Sequence, residues 1–166
     1  MPAAKVTLVF LLRDGEVLLG LKKTGFGQGK IVGIGGHLEA GESSTSAAVR
    51  EVFEETRVRV EESALEFRGT VNFRFPNRPE WDMNTAVFRA FSWHGTPEET
   101  EEIKPAWYPL DQLPLERMWQ DASHWLPWML DDLTGYPEGE MKEFTERHFT
   151  VVMAADQQNV ESVSEK

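Results

Sequence analysis

The stretch GHLEAGESSTSAAVREVFEETRV, residues 36–58, decides the fold and raises the question of function. It begins with a glycine-containing loop and continues through residues 43–45, three hydroxyl residues suited to cap the N-terminus of a helix. The pattern predicts that this helix ends near Thr56. At about 100° per residue, its charged residues share one arc and its apolar residues face the other way. The sequence therefore predicts an amphipathic helix that packs on a sheet.

The charged arc of this helix contains Arg50, Glu51, Glu54 and Glu55. Glu residues four positions apart repel one another by about 0.2–0.5 kcal/mol, and Arg50 offsets only part of that repulsion. A divalent cation would turn the repulsion into binding, because hard cations take several carboxylate oxygens. A solvated helix face is the simpler explanation of the same residues. On helix geometry alone, both interpretations stay open.

Size and composition predict one folded domain. The chain has 166 residues, of which 40% are hydrophobic and 11% aromatic, enough for a single core. It contains no cysteine, which excludes disulfides and thiolate metal sites and is compatible with a cytoplasmic location. No apolar run approaches the roughly 20 residues that span a bilayer, so we expect no membrane association.

The charge of the chain restricts its partners. The net charge of −11, from 28 acidic and 17 basic residues, argues against binding to long nucleic acid. Such binding depends largely on Lys and Arg residues that neutralise phosphates. A nucleotide remains possible, since a divalent cation held by carboxylates can bring a small polyphosphate into an acidic cleft.

Apolar segments on both sides of the helix predict a mixed β-sheet. Two strands, residues 5–13 and 17–22, flank Asp14-Gly15, a pair typical of hairpin turns. A glycine loop and a short strand-like segment follow, at residues 23–30 and 31–36. Three more strands are predicted at residues 64–75, 83–93 and 143–154, the last of them closing the sheet.

The remaining segments are polar or irregular. Residues 95–105 form an acidic connection and residues 107–114 an irregular one. A second helix is predicted at residues 121–133, and Pro127 either bends this helix or marks a later start. We expect residues 1–155 to form one α/β (α+β) domain, a mixed sheet between helices, and residues 156–166 to be a mobile polar tail.

The spacing within residues 36–58 resembles a known motif. Gly36, five residues, Glu42, seven residues and then REVFEETRV at residues 50–58 is similar to the Nudix box, G-x5-E-x7-R-E-U-x-E-E-x-G-U with U aliphatic. Every defined position agrees except the last glycine, which is Arg57 here. The resemblance implies the Nudix fold and a loop–helix–loop that binds Mg²⁺, or Mn²⁺ in its place. It also implies hydrolysis of a nucleoside diphosphate linked to another group.

The resemblance implies roles for individual residues. Arg50 and the three Glu residues of the helix form the catalytic segment, and Glu42 with Arg50 fixes the loop that starts at Gly36. The implied metal ligands include a carbonyl before the box and a carboxylate from the acidic connection. The full set is Gly35, Glu51, Glu54, Glu55 and Glu102.

Residues 5–129 resemble, more narrowly, the MutT-homologue enzymes that hydrolyse oxidised purine nucleoside triphosphates, 8-oxo-dGTP among them. The similar segments lie before the box, in the acidic connection and around MWQDASHWLP at residues 118–127. The positions at which this family lines its base pocket are occupied here by Thr7, Lys22, Phe26, Phe73, Met83, Trp119 and Asp121.

Two pocket positions depart from that family. Val32 replaces an Asn that reads the base edge, and Ala122 replaces the second of two adjacent Asp residues. Without a like-charged neighbour, we expect Asp121 to be less readily protonated and to act as a hydrogen-bond acceptor. These departures leave open which base or modification is preferred.

Three functions are compatible with the sequence. The first is Mg²⁺-dependent conversion of a modified nucleoside triphosphate to monophosphate and pyrophosphate. This reaction would remove modified nucleotides from the nucleotide pool, a role called nucleotide-pool sanitisation. The second is the same chemistry on ordinary or methylated dNTPs or a nucleotide sugar. The third is a nucleotide-binding module with a decayed site, which the complete set from Glu42 to Glu55 argues against. Monomer and dimer both remain open.

Overall fold

The computed structural model describes residues 2–130, 146–156 and 158–166. Within them, strands and helices follow in the order β1 Ala4–Arg13, β2 Glu16–Lys22, β3 Ile31–Val32, β4 Ile34–His37, α1 Ser44–Thr56, β5 Glu66–Arg74, β6 Met83–Ala90, β7 Ile103–Pro109, α2 Ala122–Met129, β8 Arg147–Met153 and β9 Val160–Glu165. Short 3₁₀ helices lie in the connections, at Glu62–Ala64, Pro79–Trp81 and Leu115–Arg117.

The strands form one mixed sheet. Its order is β3-β2-β1-β6-β5-β8-β9, with β4 paired to β1 and β7 paired to β2. β1 runs parallel to β6 and β5 runs parallel to β8, whereas the other pairs are antiparallel. The first hairpin turns as predicted, because Asp14 and Gly15 both adopt positive φ, of 43° and 77°.

Both faces of the central sheet are covered. Phe10 and Leu12 of β1 pack in the core beneath α2, and the alternate residues Val9 and Leu11 pack beneath α1. This arrangement confirms the predicted α/β domain with a mixed sheet between helices. No helix in the described part of the chain is long and apolar enough to span a bilayer.

Helix α1 begins and ends near its predicted residues. The Ser43 side chain accepts a 3.1 Å hydrogen bond from the backbone N–H of Ser46, which caps the first turn. The helix ends at Arg57, which adopts the left-handed conformation with φ 66° and donates its backbone N–H to the Phe53 carbonyl. Arg57 thus takes the conformation that the missing motif glycine would adopt without strain.

Three predictions about the second half of the chain are wrong in part. Residues 160–165, expected in a mobile tail, form β9 and pair with β8, so β8 does not close the sheet. β9 is an edge strand in which only Val160 and Val163 pack on the core, which explains its polar sequence. Residues 107–109, expected to be irregular, pair with β2. Helix α2 starts ahead of Pro127, and residues 131–133 of its predicted range lie outside the described residues.

Candidate active site

Two glycines of β4 allow the carboxylates of α1 to approach the sheet. A Cβ at Gly36 would lie 2.6 Å from the Glu51 carboxyl carbon, so the absent side chain makes room for that carboxylate. The backbone N–H of Gly35 donates a 3.2 Å hydrogen bond to Glu55. A Cβ at Gly35 would meet the Thr7 carbonyl oxygen at 1.9 Å, so this glycine is required by strand pairing.

Arg50 joins the loop to the carboxylates of the helix. Its Nε and Nη2 each donate a 2.8 Å hydrogen bond to Glu42, and Nη2 also donates to the His37 carbonyl. Its Nη1 donates to Glu51 at 2.9 Å and to Glu54 at 3.2 Å. The Arg50 guanidinium lowers the pKa of Glu42 to about 2 and its own pKa is raised in return. This geometry matches the structural role that the motif implies for Glu42.

The remaining carboxylates of the site are held with incomplete compensation of their charge. Burial raises the pKa of Glu55 to about 8, against the opposing hydrogen bond from Gly35. Burial also raises the pKa of Glu51, although Arg50 opposes the rise. Glu102 raises both pKa values by charge repulsion, and Lys22 lowers that of Glu55. Glu102 and Lys22 therefore lie near the carboxylates of α1.

Strand pairing brings Glu102 to this site. Lys22, at the end of β2, pairs with Ile103, the first residue of β7. The Lys23 backbone N–H donates to the Glu102 carbonyl at 2.9 Å, and the Thr100 hydroxyl donates to the Glu55 carbonyl at 2.9 Å. These contacts hold the acidic connection against the C-terminal end of α1, next to its carboxylates.

The groups expected to bind metal, which are the Gly35 carbonyl and the carboxylates of Glu51, Glu54, Glu55 and Glu102, suit a hard divalent cation. All of the side-chain donors among them are carboxylate oxygens, the ligands that hard cations prefer. As the side chains stand, no three His, Asp or Glu residues in the described ranges are close enough to enclose an ion. Glu51 and Glu54 face Arg50 instead. Holding a cation therefore requires them to turn about their side-chain torsions.

A second feature is an apolar cavity of about 190 Å³ on the α2 face of the sheet. It is lined by five of the predicted base-pocket residues, Phe26, Phe73, Met83, Trp119 and Asp121. The two departures from the family, Val32 and Ala122, also line it. Gly33, immediately before β4, lines the cavity, and Gly35 of β4 donates to Glu55, so the two features meet at the start of β4.

Aromatic rings form the mouth of this cavity. Phe26, 70% exposed, stacks on Trp119 with ring centroids 5.1 Å apart, and the Trp81 ring centroid lies 5.9 Å from that of Phe26. A Cβ at Gly27 would lie 3.0 Å from the Trp119 ring, so the glycine loop lies directly against that ring. The mouth thus offers flat apolar surfaces suited to a planar ligand.

Asp121 is the carboxyl group of the cavity. Although it precedes α2, its side chain does not cap the helix; it accepts a 2.8 Å hydrogen bond from the indole N–H of Trp125. Burial raises the pKa of Asp121, and the Trp125 hydrogen bond opposes this only in part. Burial of Asp121 therefore acts against the easier ionisation expected from the missing neighbour at position 122.

Two predicted pocket residues lie outside the cavity. Val6 and Leu8 line it, so strand alternation turns Thr7 to the α1 face, where its buried hydroxyl has no hydrogen-bond partner among the described residues. Lys22 lies at the carboxylates, as its effect on Glu55 indicates. The prediction also missed Thr85 of β6, which lines the cavity. Side chains alternate between the two faces of a strand, so Thr85, two residues after the predicted pocket residue Met83, could have been identified from the sequence.

Carboxylates of the kind that hard cations bind lie close along the chain to an apolar cavity with aromatic walls, and together these two features indicate a class of protein. It is a hydrolase that acts on nucleotides with the help of a divalent metal ion. The chain belongs to the Nudix family, because residues 1–129 match the NUDIX domain.

Comparison with known proteins agrees with this assignment. The chain is 43% identical over 124 residues to the oxidized purine nucleoside triphosphate hydrolase of Mus musculus, covering 75% of this chain and 78% of that protein. It is 41% identical over 125 residues to the protein of the same name from Danio rerio, with the same coverage. The fold is similar to that of a MutT protein from Bacillus halodurans, with a TM-score of 0.75, 23% identity, and coverage of 98% and 97%.

Proposed function

We propose that this protein hydrolyses oxidised purine nucleoside triphosphates to the monophosphate and pyrophosphate, with Mg²⁺ as the metal ion and Mn²⁺ as a substitute. The observation that carries the proposal is that the cavity and the carboxylates meet at the start of β4. Gly33 lines the cavity for a base, and Gly35 contacts the carboxylates that would act on the phosphates. A nucleotide has the same two parts, a planar base and a charged phosphate chain.

The proposed chemistry is phosphoryl transfer to water. A divalent cation bound at the carboxylates would polarise the phosphoryl oxygens and lower the pKa of a bound water. Arg50 orients Glu51 and Glu54 by hydrogen bonds and is itself held by Glu42. Lys22 adds positive charge near Glu55, where it would offset charge that gathers on the phosphates.

The proposed base site uses stacking and a carboxyl group. Trp119 and Phe26 line the cavity with aromatic surface, and stacking of a base on such a ring is worth about 1–3 kcal/mol. Asp121 contributes directional hydrogen bonding, because its carboxyl group lines the cavity. Two relatives at 41% and 43% identity that are named for oxidised purine nucleoside triphosphates support this substrate class.

The proposal includes nucleotide-pool sanitisation in the cytoplasm, which the absence of cysteine favours. Its test is pyrophosphate release with Mg²⁺ from 8-oxo-dGTP, dGTP, a methylated dGTP and a nucleotide sugar. We expect monophosphate and pyrophosphate from the oxidised purine, no turnover with EDTA, and at least a 100-fold loss in Glu55→Gln. A higher kcat/KM for the nucleotide sugar, or a Glu55→Gln variant with over a tenth of wild-type turnover, would contradict the proposal.

A further inference from the structure

The polar side chains of the cavity are few. Among the described residues that line it, only Asp121 and Thr85 carry a carboxyl or hydroxyl group, and Val32 stands where the related family has an amide. A site that distinguishes bases needs directional groups, because stacking accepts any π-face. The carboxyl group of Asp121 is already engaged in part by the Trp125 indole N–H and by its own backbone N–H, so it offers few directional contacts on its own.

Thr85 lies in the middle of the sheet and faces the cavity. It pairs with Val6 of β1 and with Val71 of β5, and only 2% of its surface is exposed. No hydrogen bond from another described residue engages its hydroxyl. The next residue, Ala86, faces the α1 side, as does Thr70, which pairs with it on β5.

A hydroxyl at this position is not explained by packing. The cavity wall around it is hydrophobic, and Val would fill the same volume without a polar atom that must be desolvated. A free hydroxyl lining a cavity can donate to a carbonyl oxygen or a ring nitrogen and accept from an N–H. Asp121 lines the same cavity, so the two side chains together would suit a base edge on which an acceptor adjoins an N–H donor.

We infer that Thr85 is a base-recognising residue of this protein, which hydrogen-bonds the edge of an oxopurine beside Asp121. This inference rests on the proposed function. The oxopurine carbonyl accepts from the Thr85 hydroxyl, and the adjacent N–H donates to Asp121. Thr85 thus supplies part of the directional contact that Val32 cannot make.

The variant that tests this role is Thr85→Val, which keeps shape and removes only the hydroxyl. We expect its KM for 8-oxo-dGTP and dGTP to rise about two- to tenfold, as for the loss of one hydrogen bond. Its kcat should stay within about twofold, because the base is remote from the reacting phosphate and its contacts contribute uniform binding. Thr85→Ser, which restores a hydroxyl, should recover most of the wild-type KM.

The control is Thr70→Val, the same substitution one strand away and on the opposite face of the sheet. It removes a hydroxyl that contacts His148 and should leave KM unchanged. Calorimetric titration of dGMP and 8-oxo-dGMP without metal provides a second measurement, with the same two- to tenfold weakening expected in Thr85→Val. The urea midpoint of Thr85→Val should not fall, which separates recognition from folding.

The outcomes are distinguishable. If no purine triphosphate is hydrolysed, the proposed function fails, and the monophosphate titrations still decide the role of Thr85. If wild type hydrolyses oxopurine triphosphates but Thr85→Val matches it in KM and in monophosphate affinity, the role of Thr85 is overturned and the reaction stands. Weakening of equal size in Thr70→Val, or no monophosphate binding by wild type, would also overturn it.

Discussion

Replacing Glu55 by Gln should stabilise the metal-free protein at neutral and alkaline pH. Glu55 is 8% exposed, and burial raises its pKa from 4.5 to about 8. An acid whose pKa is higher in the folded than in the unfolded state binds extra protons on folding. Its contribution to stability is therefore complete below pH 4.5 and is lost as the pH rises through about 8. Gln has the same shape and no such dependence.

The magnitude follows from the same pKa values. A change from 4.5 to about 8 corresponds to at most about 5 kcal/mol at pH above 8. Rotation of the carboxylate toward water in the folded protein lowers this figure. We expect Glu55→Gln to exceed wild type by at least about 1 kcal/mol in unfolding free energy at pH 8.5, and by less at pH 5.5.

The assay is urea unfolding in EDTA at pH 5.5, 7 and 8.5, followed by tryptophan fluorescence and fitted by linear extrapolation. Glu54→Gln is the matched control, since Glu54 lies one position earlier on the same helix and is exposed. The effect of Glu54→Gln on stability should change less with pH than the effect of Glu55→Gln. A difference between Glu55→Gln and wild type that stays constant or shrinks with rising pH would refute the reasoning.

Three other predictions concern backbone or pocket positions. Arg57→Gly should raise the free energy of unfolding by about 1 kcal/mol with little change in turnover, because Arg57 has a φ of 66°, which glycine adopts without strain. An unchanged or lower free energy of unfolding, measured in urea, would mean that no strain is relieved. In Gly36→Ala, the new Cβ would lie 2.6 Å from the Glu51 carboxyl carbon and would displace that carboxylate, so kcat/KM should fall about 100-fold. The thermal midpoint should change little, because the end of the Glu51 side chain can move away. Unchanged kcat/KM would contradict this. Val32→Asn/Ala122→Asp should raise the kcat/KM ratio of 8-oxo-dGTP over dGTP by about two- to tenfold per added hydrogen bond. An unmoved ratio, or a wild-type preference already near a thousandfold, would contradict it.

Local patterns in the sequence were sufficient for the elements whose structure depends on neighbouring residues. The N-cap at Ser43, the end of α1 and the turn at Asp14-Gly15 depend on capping atoms and on φ values within a few residues. The charged arc of α1 likewise follows from helix periodicity. The motif added the partnership of Glu42 with Arg50, which fixed spacing along one loop and helix makes possible.

The remaining features depend on strand pairing between distant segments. Polar residues 160–165 become β9 only because β8 provides a partner, and a strand at the edge of a sheet needs few apolar residues. Glu102 reaches the carboxylates because β7 pairs with β2. The register of β1 with β4 and β6 decides that Thr7 faces α1 while Thr85 faces the cavity. A shift by one residue in a strand reverses the face of every side chain, so composition and local pattern could not assign these hydroxyls.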